Sequence, residues 1–527
     1  MLWHAPASAR QRAKVTASTA ILLSGVALFG ADAAMAAPGT PEAGPTVCHT
    51  DQPRLRHLVL FDAGTGEDAA RAEIGLACGA LSGYYPEVAV AVATSADSAF
   101  ADRIGRDRAY SAQSEALTGT EPPARPPVAR LPRAVGVQSM SFVAANASVA
   151  GAASVTGAPE TGTADRTGEQ WDMDLISADA AHEIERGGAD VLVGVLDSGV
   201  DADHPELAAA LDRSASAGCL TGMPDTNPRS WRPSGEHGTH VAGIIAAADD
   251  GAGITGVAPG VRIAAVKVVD QGGFIYPESA LCGFMWAAHN DMRITNNSYY
   301  VDPWLFTCAD VPGQSVVYET LRRASEYATS RGVLAVAAAG NENLDLAAPS
   351  NDSRSPSNAR KPRPRAVDQD CTVLPAGLPD VLTVSAVGAG GTKSSYSSYG
   401  LGVVDVTAPG GDVRQRSPSA TSGCVLSTVP GGYGRLCGTS MATPHAAGVA
   451  ALAASTHPDA SPAELAALLT STATAVACPD GRYDPDSDGR ANATCRQAEP
   501  GTDATSPTGL SNSFYGAGLL NAPAALR

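Results

Sequence analysis

The sequence predicts an α/β protein with a mostly parallel central sheet and helices on both faces, preceded by a small α+β domain. The first observation is a series of short, continuous apolar runs rich in branched residues from Trp171 onward, which is typical of strands covered on both faces. The second is that helical segments lie between these runs. The third is a separate block at about 48–113, whose strand–helix–strand–helix order suits a small α+β domain.

The first residues have the pattern of a secretory signal peptide. Arg10, Arg12 and Lys14 form a charged start, residues 15–30 are largely apolar, and an Ala-Met-Ala cleavage site follows. A membrane anchor is the competing interpretation, but the uninterrupted apolar core is short for a bilayer span. We therefore expect residues 1–36 to be a signal peptide and the protein to be secreted, without a stable membrane anchor.

The elements of the small domain follow from its periodicity. Ile74, Cys78 and Leu81 share one face of a helical pattern, and Cys48 could form a disulfide with Cys78. The whole domain is assigned to residues 37–120. Its elements are predicted as strands at 57–61 and 88–92 and helices at 68–81 and 97–108.

The composition changes at residues 121–167. Prolines come first, and a run of Ala, Ser, Thr and Gly with few large apolar side chains follows. Such a segment cannot bury enough apolar surface to fold alone. We therefore expect a linker between the small domain and the α/β domain at 168–527.

One helix of the α/β domain has a clear start signal. Ser461 is the cap, Pro462 takes the first helical position and Glu464 completes a capping box, so a helix is predicted to run to Thr472. The remaining elements are predicted as strands at 191–196, 263–269, 333–339 and 381–387 and helices at 237–247, 279–290 and 317–330.

Composition limits the partners and the compartment. The chain has 527 residues and a formal net charge of −18, which argues against nucleic acid or an anionic membrane as a partner. Its ten cysteines, an even number in an exported chain, predict disulfides. Eight lie in the later part and allow roughly a hundred pairings. The simplest pairs join sequence neighbours, Cys424 with Cys437 and Cys478 with Cys495.

Three segments carry residues suited to nucleophilic chemistry. Asp197 ends a buried strand, and ligands of open α/β sheets collect outside the carboxyl ends of strands. His237 begins a helix, with His240 three residues later. Ser440 lies at the N-terminus of an apolar helix, where free N–H groups favour an oxyanion. Singly, they could be a turn residue, a core histidine and a cap. The H-E-x-x-H metal pattern is absent, and no third ligand is apparent.

Together these segments resemble a known family. VLDSGV at 195–200, HGTHVAG at 237–243 and GTSMATPHAAG at 438–448 resemble the Asp, His and Ser signatures of the subtilisin-like serine peptidases, in that family's chain order. The resemblance covers about 170–527. The block at 37–120 is similar to the family's propeptide in size and pattern.

The resemblance implies a function and its residues. Asp197, His237 and Ser440 would form a catalytic triad, and Asn341 would stabilise the oxyanion. The protein would be a secreted endopeptidase that acts through an acyl-enzyme and is made as a self-processing zymogen. Peptide or protein substrates and its own propeptide are the expected partners of a monomer. No cofactor is required for this chemistry.

The resemblance also implies substrate contacts. Two edge segments would pair with an extended peptide, and a third would line the pocket for the residue before the cut. The family usually has glycine where Tyr300 stands, so a narrower or redirected pocket is expected. The residues concerned are Gly272 and Gly273, then Ser298, Tyr299 and Tyr300, and then Ala338, Ala339 and Gly340.

An acidic turn suggests a calcium site. Asp484, Asp486 and Asp488 have the spacing of the first half of an EF-hand loop, in which alternate carboxylates meet one hard cation. The twelfth position is Cys495 and not glutamate, so the full loop pattern fails. A polar turn is the alternative interpretation.

The polar segment at 350–370, which is partly basic, is interpreted as a solvated insertion or a cleavage-prone loop after Asn341. Two alternative functions remain. One is a catalytically silent relative that uses the same scaffold for binding. The other is a processing peptidase or transpeptidase dedicated to one partner, which the bulky Tyr300 would favour.

Overall fold

The computed structural model describes residues 47–117, 153–154, 159–162, 164–415, 422–479, 483–485, 492–498 and 511–527. The signal peptide predicted at 1–36 and most of the linker predicted at 121–167 lie outside this range. The chain divides into Met1–Val47 and a compact unit, Cys48–Arg527, and all described helices and strands belong to the second. Among them, none is both long enough and apolar enough for a bilayer span.

The N-terminal domain is a four-stranded antiparallel sheet with two helices. Its elements are the strands β1 (Leu55–Leu60), β2 (Ala80–Tyr85), β3 (Val90–Ser95) and β4 (Ala109–Tyr110), the helices α1 (Glu67–Leu76) and α2 (Phe100–Ile104), and a 3-10 helix at Ala112–Leu117. The strand order is β2-β3-β1-β4. Val59 shares an apolar cluster with Ile74 and Phe100 of the helices. Leu58 and Leu60 point to the other face of the sheet, because side chains alternate along a strand.

Both helices of this domain are shorter than predicted. The helix expected at 68–81 ends before Cys78, whose φ of 71° is left-handed, and Leu81 lies in β2 instead. The helix expected at 97–108 keeps one turn, because Gly105 has a φ of 110° and the chain then enters β4. The two predicted strands are confirmed, each displaced by about two residues.

The α/β domain contains the remaining elements. Its strands are β5 (Ala153–Ser154), β6 (Leu192–Asp197), β7 (Ala217–Gly218), β8 (Arg262–Lys267), β9 (Ile294–Asn297), β10 (Thr307–Cys308), β11 (Leu334–Ala338), β12 (Asn351–Asp352), β13 (Arg365–Ala366), β14 (Cys371–Thr372), β15 (Val381–Val387), β16 (Val406–Pro409), β17 (Val425–Val429) and β18 (Gly432–Cys437). Its helices are α3 (Trp171–Leu175), α4 (Ala178–His182), α5 (His237–Ala246), α6 (Pro277–His289), α7 (Gln314–Ser330), α8 (Thr439–Thr456) and α9 (Pro462–Ser471), with 3-10 turns at Thr167–Glu169 and Ala524–Leu526.

Seven of these strands form the predicted parallel sheet, in the order β16-β15-β11-β9-β6-β8-β7. Val193 and Val195 of β6 belong to the apolar cluster that includes α5 and α8. Leu192 and Leu196 belong to the cluster on the opposite face, with α6 and α7. Helices therefore cover both faces, which explains why strands such as β6 and β11 are almost continuously apolar.

Five disulfides use all ten cysteines. The pairs predicted from the sequence, Cys48–Cys78, Cys424–Cys437 and Cys478–Cys495, are confirmed. The other two are Cys219–Cys282 and Cys308–Cys371, whose partners are 63 residues apart in each case. Sequence spacing could not have identified these two pairs.

The N-terminal domain packs on the α6–α7 face of the α/β domain. Leu60 lies in one apolar cluster with Phe284 and Val317 of these helices. Arg56 Nε donates to Glu278 Oε1 at 2.7 Å, which provides a cation for a carboxylate that is almost fully buried. The domains are thus joined by both apolar burial and a charged pair.

Candidate active site

The candidate site lies at the carboxyl edge of the parallel sheet. β6 ends at Asp197, and its neighbour β9 ends at Asn297, which is the register partner of Leu196. Ser298 therefore follows at the level of Asp197. Both residues are buried at this edge. The two strand ends are therefore adjacent in space, although only the first of these strands was predicted from the sequence.

The histidine is fixed against the aspartate. His237 begins α5, and its Nδ1 lies 2.9 Å from both carboxylate oxygens of Asp197. Gly238 N donates to Ser198 Oγ at 3.0 Å. A Cβ on Gly238 would lie 2.3 Å from the Gly199 carbonyl oxygen, so only glycine permits this approach of helix and strand end. Nδ1 carries the proton, because only an N–H can donate to a carboxylate.

The serine is held at the start of α8. Ser440 is fully buried, and Ser298 Oγ donates to its carbonyl oxygen at 2.9 Å. Its own hydroxyl donates to the Ser298 carbonyl oxygen at 3.2 Å. His237 Nε2 is buried and has no hydrogen-bond partner among the described residues. The serine hydroxyl therefore points to the neighbouring strand in this conformation and not to the imidazole.

Asn341 follows β11 and is bound to the same helix start. Its Oδ1 accepts hydrogen bonds from Thr439 N and Thr439 Oγ1, both at 2.8 Å. Gly340 N donates to Thr439 Oγ1 at 3.2 Å. Two donors fix the orientation of the carboxamide, with its oxygen towards α8 and its NH₂ on the other side. Thr439 was not among the predicted site residues, although it precedes Ser440 in the motif.

The predicted substrate segments lie side by side. Gly272 is exposed and lies in a turn stabilised by Asp270, whose Oδ1 accepts a hydrogen bond from Gly272 N at 2.7 Å. Ile275, which follows this segment, is joined to Asp302 of the 298–302 segment by two hydrogen bonds. Ile275 N donates to Asp302 Oδ2 at 2.8 Å, and Asp302 N donates to Ile275 O at 2.8 Å. Burial raises the pKa of Asp302 to about 8. The glycine at 273 is partly exposed in the same turn.

The bulky side chains of the second segment are buried. Tyr299 is buried, and its hydroxyl donates to Asn297 Oδ1 at 3.0 Å. Tyr300 is buried in an apolar cluster with Leu305 and Phe306. Ala338, Ala339 and Gly340 are also buried. The pocket roles of these residues stay predictions, and Tyr300 contributes to packing beside the site.

A cavity of about 390 Å³ opens beside Asn341. Glu342 forms part of its wall, accepts a hydrogen bond from Asn341 N at 2.9 Å and pairs with Arg354 at 2.9 Å. Burial raises the pKa of this carboxyl group. Sequence reasoning missed this cavity because its walls come from separate segments, with lining residues Leu305, Phe306, Glu342, Leu344, Asp345, Ala348, Pro349, Ser350, Asn351, Ser353 and Arg354.

The other histidines near the site have structural contacts. His240 Nε2 lies 3.2 Å from the Val425 carbonyl oxygen, and burial lowers the pKa of His240 to about 3. His445 Nε2 lies 3.1 Å from Asp172 Oδ2. In the part of the chain that the structure describes, no three His, Cys, Asp or Glu residues are grouped as metal ligands. Two residues of the predicted calcium turn, Asp486 and Asp488, lie outside the described residues, so that site stays a prediction.

The last part of the predicted linker lies close to the candidate serine. Ala153 pairs with Cys437 and Ser154 with Leu436, so β5 extends the β17–β18 hairpin at the end nearest Ser440. Glu160 then pairs with Arg435 at 2.6 Å. The last part of the predicted linker is thus attached to the strand that leads into α8.

Fold and site define a class: subtilisin-like proteins, with a buried aspartate–histidine pair at the sheet edge and a serine at a helix start. The Subtilase family model (Peptidase_S8) matches residues 188–518. Subtilisin Savinase from Lederbergia lenta is 31% identical over 357 residues, which cover 68% of this chain and 98% of that protein. Subtilisin NAT from Bacillus subtilis subsp. natto is 35% identical over 300 residues, which cover 57% of this chain and 64% of that protein.

Solved structures show the same fold. The epidermin leader peptide processing serine protease from Staphylococcus aureus superimposes with a TM-score of 0.60 at 18% identity, and the match covers 90% of this chain and 98% of that one. The chain belongs to the subtilase family. It spans 64% of the length of subtilisin NAT and of other Bacillus relatives.

Proposed function

We propose that the protein is a secreted serine endopeptidase that cleaves peptide bonds through an acyl-enzyme. One observation carries the proposal: both oxygens of Asp197 hold His237 through Nδ1 at 2.9 Å, which leaves Nε2 as a proton acceptor at the sheet edge where Ser440 stands. An imidazole in this tautomer is the general base that a serine nucleophile needs. The nearby Asp197 charge stabilises the imidazolium that forms.

The reaction then follows in two halves. Ser440 Oγ turns from the Ser298 carbonyl, attacks the peptide carbonyl carbon and passes its proton to His237 Nε2. The C–N bond breaks as His237 returns that proton to the leaving amine, and an ester to Ser440 remains. His237 next removes a proton from water, which attacks the ester, releases the acid and leaves the proton on Ser440.

Charge on the attacked oxygen would be stabilised by two kinds of donor. The Asn341 carboxamide is supported as one donor because Thr439 holds its oxygen, so that its NH₂ lies on the far side. The N–H of Ser440 at the N-terminus of α8 is the second. Donors that are fixed before the reaction cost no reorganisation when the charge develops.

The N-terminal domain is proposed as an inhibitory propeptide that is cut off during maturation. It docks on α6 and α7 through Arg56 and Glu278, and its last described residue is Leu117. The next described residues, 153–154, pair with β18 beside Ser440. A cut between these two points would separate the domain from the α/β domain, as expected for a zymogen that processes itself.

Covalent labelling tests the chemistry directly. We expect a fluorophosphonate probe to label the wild-type protein at Ser440, because only an activated serine reacts, and Ser440→Ala to abolish labelling. The same variant should lose kcat by about 10⁶-fold, the size found in subtilisin itself. It should also accumulate as an uncut precursor in a protease-free host. A folded wild-type protein that stays unlabelled would favour the catalytically silent alternative.

A peptide-library cleavage profile distinguishes a general endopeptidase from an enzyme dedicated to one partner. Cleavage of many sequences is expected, because Tyr300 packs against Leu305 and Phe306. Cleavage of a single sequence type would support the dedicated processing role instead.

A further inference from the structure

The segment at 350–370 is held against residues 303–305, which directly follow the 298–302 segment. Leu305 N donates to Ser355 Oγ at 2.7 Å, and Ser357 N donates to the Pro303 carbonyl oxygen at 2.8 Å. The Arg365 guanidinium lies 4.7 Å from the centre of the Trp304 ring. These contacts tie the segment to the continuation of the 298–302 strand end. It therefore has a defined surface beside the predicted substrate segments.

The tail of the N-terminal domain lies on this surface. Trp304 Nε1 donates to Tyr110 Oη at 2.8 Å, and Asn358 Nδ2 donates to the Ala112 carbonyl oxygen at 2.8 Å. A third contact is an ion pair, in which Arg363 Nη2 donates to Glu115 Oε2 at 2.6 Å. The Glu115 side chain is 17% exposed and that of Arg363 is 55% exposed. The carboxylate is thus held on a cation that still faces solvent.

The direction of the chain shows which side of a cut this tail belongs to. Residues Ala112–Leu117 precede the proposed processing bond, and β5, which follows it, pairs with β18 beside Ser440. The tail is therefore on the acyl side of the bond. A substrate bound in the same direction would present its upstream residues to Trp304, Asn358 and Arg363.

Charge makes this surface unusual in the molecule. The whole chain has a formal net charge of −18, whereas 350–370 contains five arginine and lysine residues and three aspartates. Arg354 and Arg365 are paired with Glu342 and Asp352. When the N-terminal domain leaves, Arg363 loses the carboxylate of Glu115. A negatively charged protein repels acidic peptides in general, so an acidic peptide binds where a local cation attracts it.

We propose that Trp304, Asn358 and Arg363 form an exosite for acidic peptide segments that lie upstream of the bond to be cut. The exosite first holds Glu115 of the chain's own N-terminal domain, and in the mature protein it selects substrates with a glutamate or aspartate at the corresponding distance. The proposal rests on the proposed peptidase function, because upstream has a meaning only relative to a cut.

The test uses quenched fluorescent peptides with one common cleavage sequence and a ten-residue upstream extension. A single glutamate is moved along the extension, and the matched peptide has glutamine at that place. We expect one position at which glutamate raises kcat/KM about two- to fivefold over glutamine, mainly through KM, because the cation is half exposed. The preference should disappear in 0.5 M salt, where the Debye length falls to roughly 4 Å.

Variants assign the effect to the exosite. Arg363→Gln should abolish the glutamate/glutamine ratio, and Arg363→Glu should reverse it in favour of lysine at the same position. Arg331→Gln is the matched control, because that arginine is also half exposed and its ion pair among the described residues, with Asp291, is long at 3.9 Å. It should retain the ratio.

Two results would overturn the exosite: no position with a preference for glutamate, or a ratio unchanged in Arg363→Gln. Active-site titration of each preparation with the fluorophosphonate probe, together with cleavage of a short peptide that lacks the extension, separates these results from a failure of the proposed function. A protein that neither labels nor cleaves the short peptide refutes the peptidase, whereas one that does both but lacks the preference refutes the exosite alone.

Discussion

At the scale of single residues, the candidate site is organised by hydrogen bonds that fix donors in place. The carboxamide of Asn341 shows this most directly, because Thr439 holds its oxygen through both a backbone and a side-chain donor at 2.8 Å. A carboxamide held in this way cannot flip without losing both bonds. The same threonine hydroxyl accepts from Gly340 N, so one side chain supports the whole turn after β11.

Replacing this hydroxyl should impair catalysis without affecting binding. Thr439→Val keeps the shape and the backbone bond to Asn341 but removes the side-chain bond, so we expect kcat to fall about tenfold while KM changes little. Asn341→Ala removes the donor itself and should cost about 10²–10³-fold in kcat, the size found in subtilisin. Steady-state kinetics on a peptide substrate measure both. Thr439→Ser is the control that retains activity, and equal losses in the serine and valine variants would contradict the positioning role.

The sequence was sufficient to predict the positions of these residues but not their orientations. Asp197, His237, Ser440 and Asn341 lie at strand ends and helix starts, whose places follow from local pattern. The direction of the Ser440 hydroxyl depends on the Ser298 carbonyl of another strand, 142 residues away in sequence. Such a contact leaves no local signal, because it exists only after the sheet has formed.

At the scale of elements, local backbone conformation accounts for the differences between prediction and structure. Periodicity alone extended the first helix through Cys78, where a left-handed residue ends it. The capping box at Ser461 predicted its helix within one residue, since the signal is itself a set of local hydrogen bonds. Four strands of the central sheet, β6, β8, β11 and β15, were predicted because burial on both faces makes them mostly apolar, whereas β9 (ITNN), which is half polar, and the short β7 and β16 were missed.

The connection between β15 and β16 contains a feature that no pattern indicated. Lys393 is fully buried, and its Nζ lies 5.1–5.3 Å from the ring centres of Tyr399, Tyr483 and Phe514. Its Nζ donates to Asn343 Oδ1 at 2.7 Å, two residues after Asn341. Burial lowers the pKa of Lys393 to about 7, against the opposing effect of Asp412.

This shift predicts a pH-dependent contribution to stability. Between about pH 7 and pH 10.5 the unfolded chain holds a proton on Lys393 that the folded chain has released, so the free energy of unfolding should rise with pH in this window. The slope from one group is at most about 1.4 kcal/mol per pH unit. We expect the melting temperature of the uncut Ser440→Ala precursor to rise more steeply from pH 7 to pH 10 than that of the same precursor with Lys393→Met. Lys361→Met, at an exposed lysine, should follow the parent, and identical slopes in all three proteins would exclude this role.

At the scale of the whole molecule, the N-terminal domain and the α/β domain form one compact unit through a mixed interface. Apolar side chains from the sheet of the first domain join the cluster of α6 and α7. Such burial is strong but tolerant of small shifts. The Arg56–Glu278 pair is different, since the Glu278 side chain is only 4% exposed and Arg56 is its cation across the interface. A buried carboxylate that loses its partner is costly, so this pair should control how long the domains stay together.

Arg56→Gln should therefore shorten the lag before activity appears. While the domains are docked, the substitution leaves the Glu278 carboxylate buried without its cation. Once the domains separate, water reaches the carboxylate and this cost disappears. We expect docking to weaken by about 1.5–3 kcal/mol, the size of a hydrogen bond to a charged group. The lag is measured by following peptide cleavage after secretion at fixed enzyme concentration. Glu87→Gln is the matched control, because its pair with His289 is partly exposed at 3.2 Å and should contribute little. If the double variant Arg56→Gln/Glu278→Gln regains the lag, the effect belongs to the buried charge. Equal lags in Arg56→Gln and Glu87→Gln would instead mean that apolar burial alone holds the domains together.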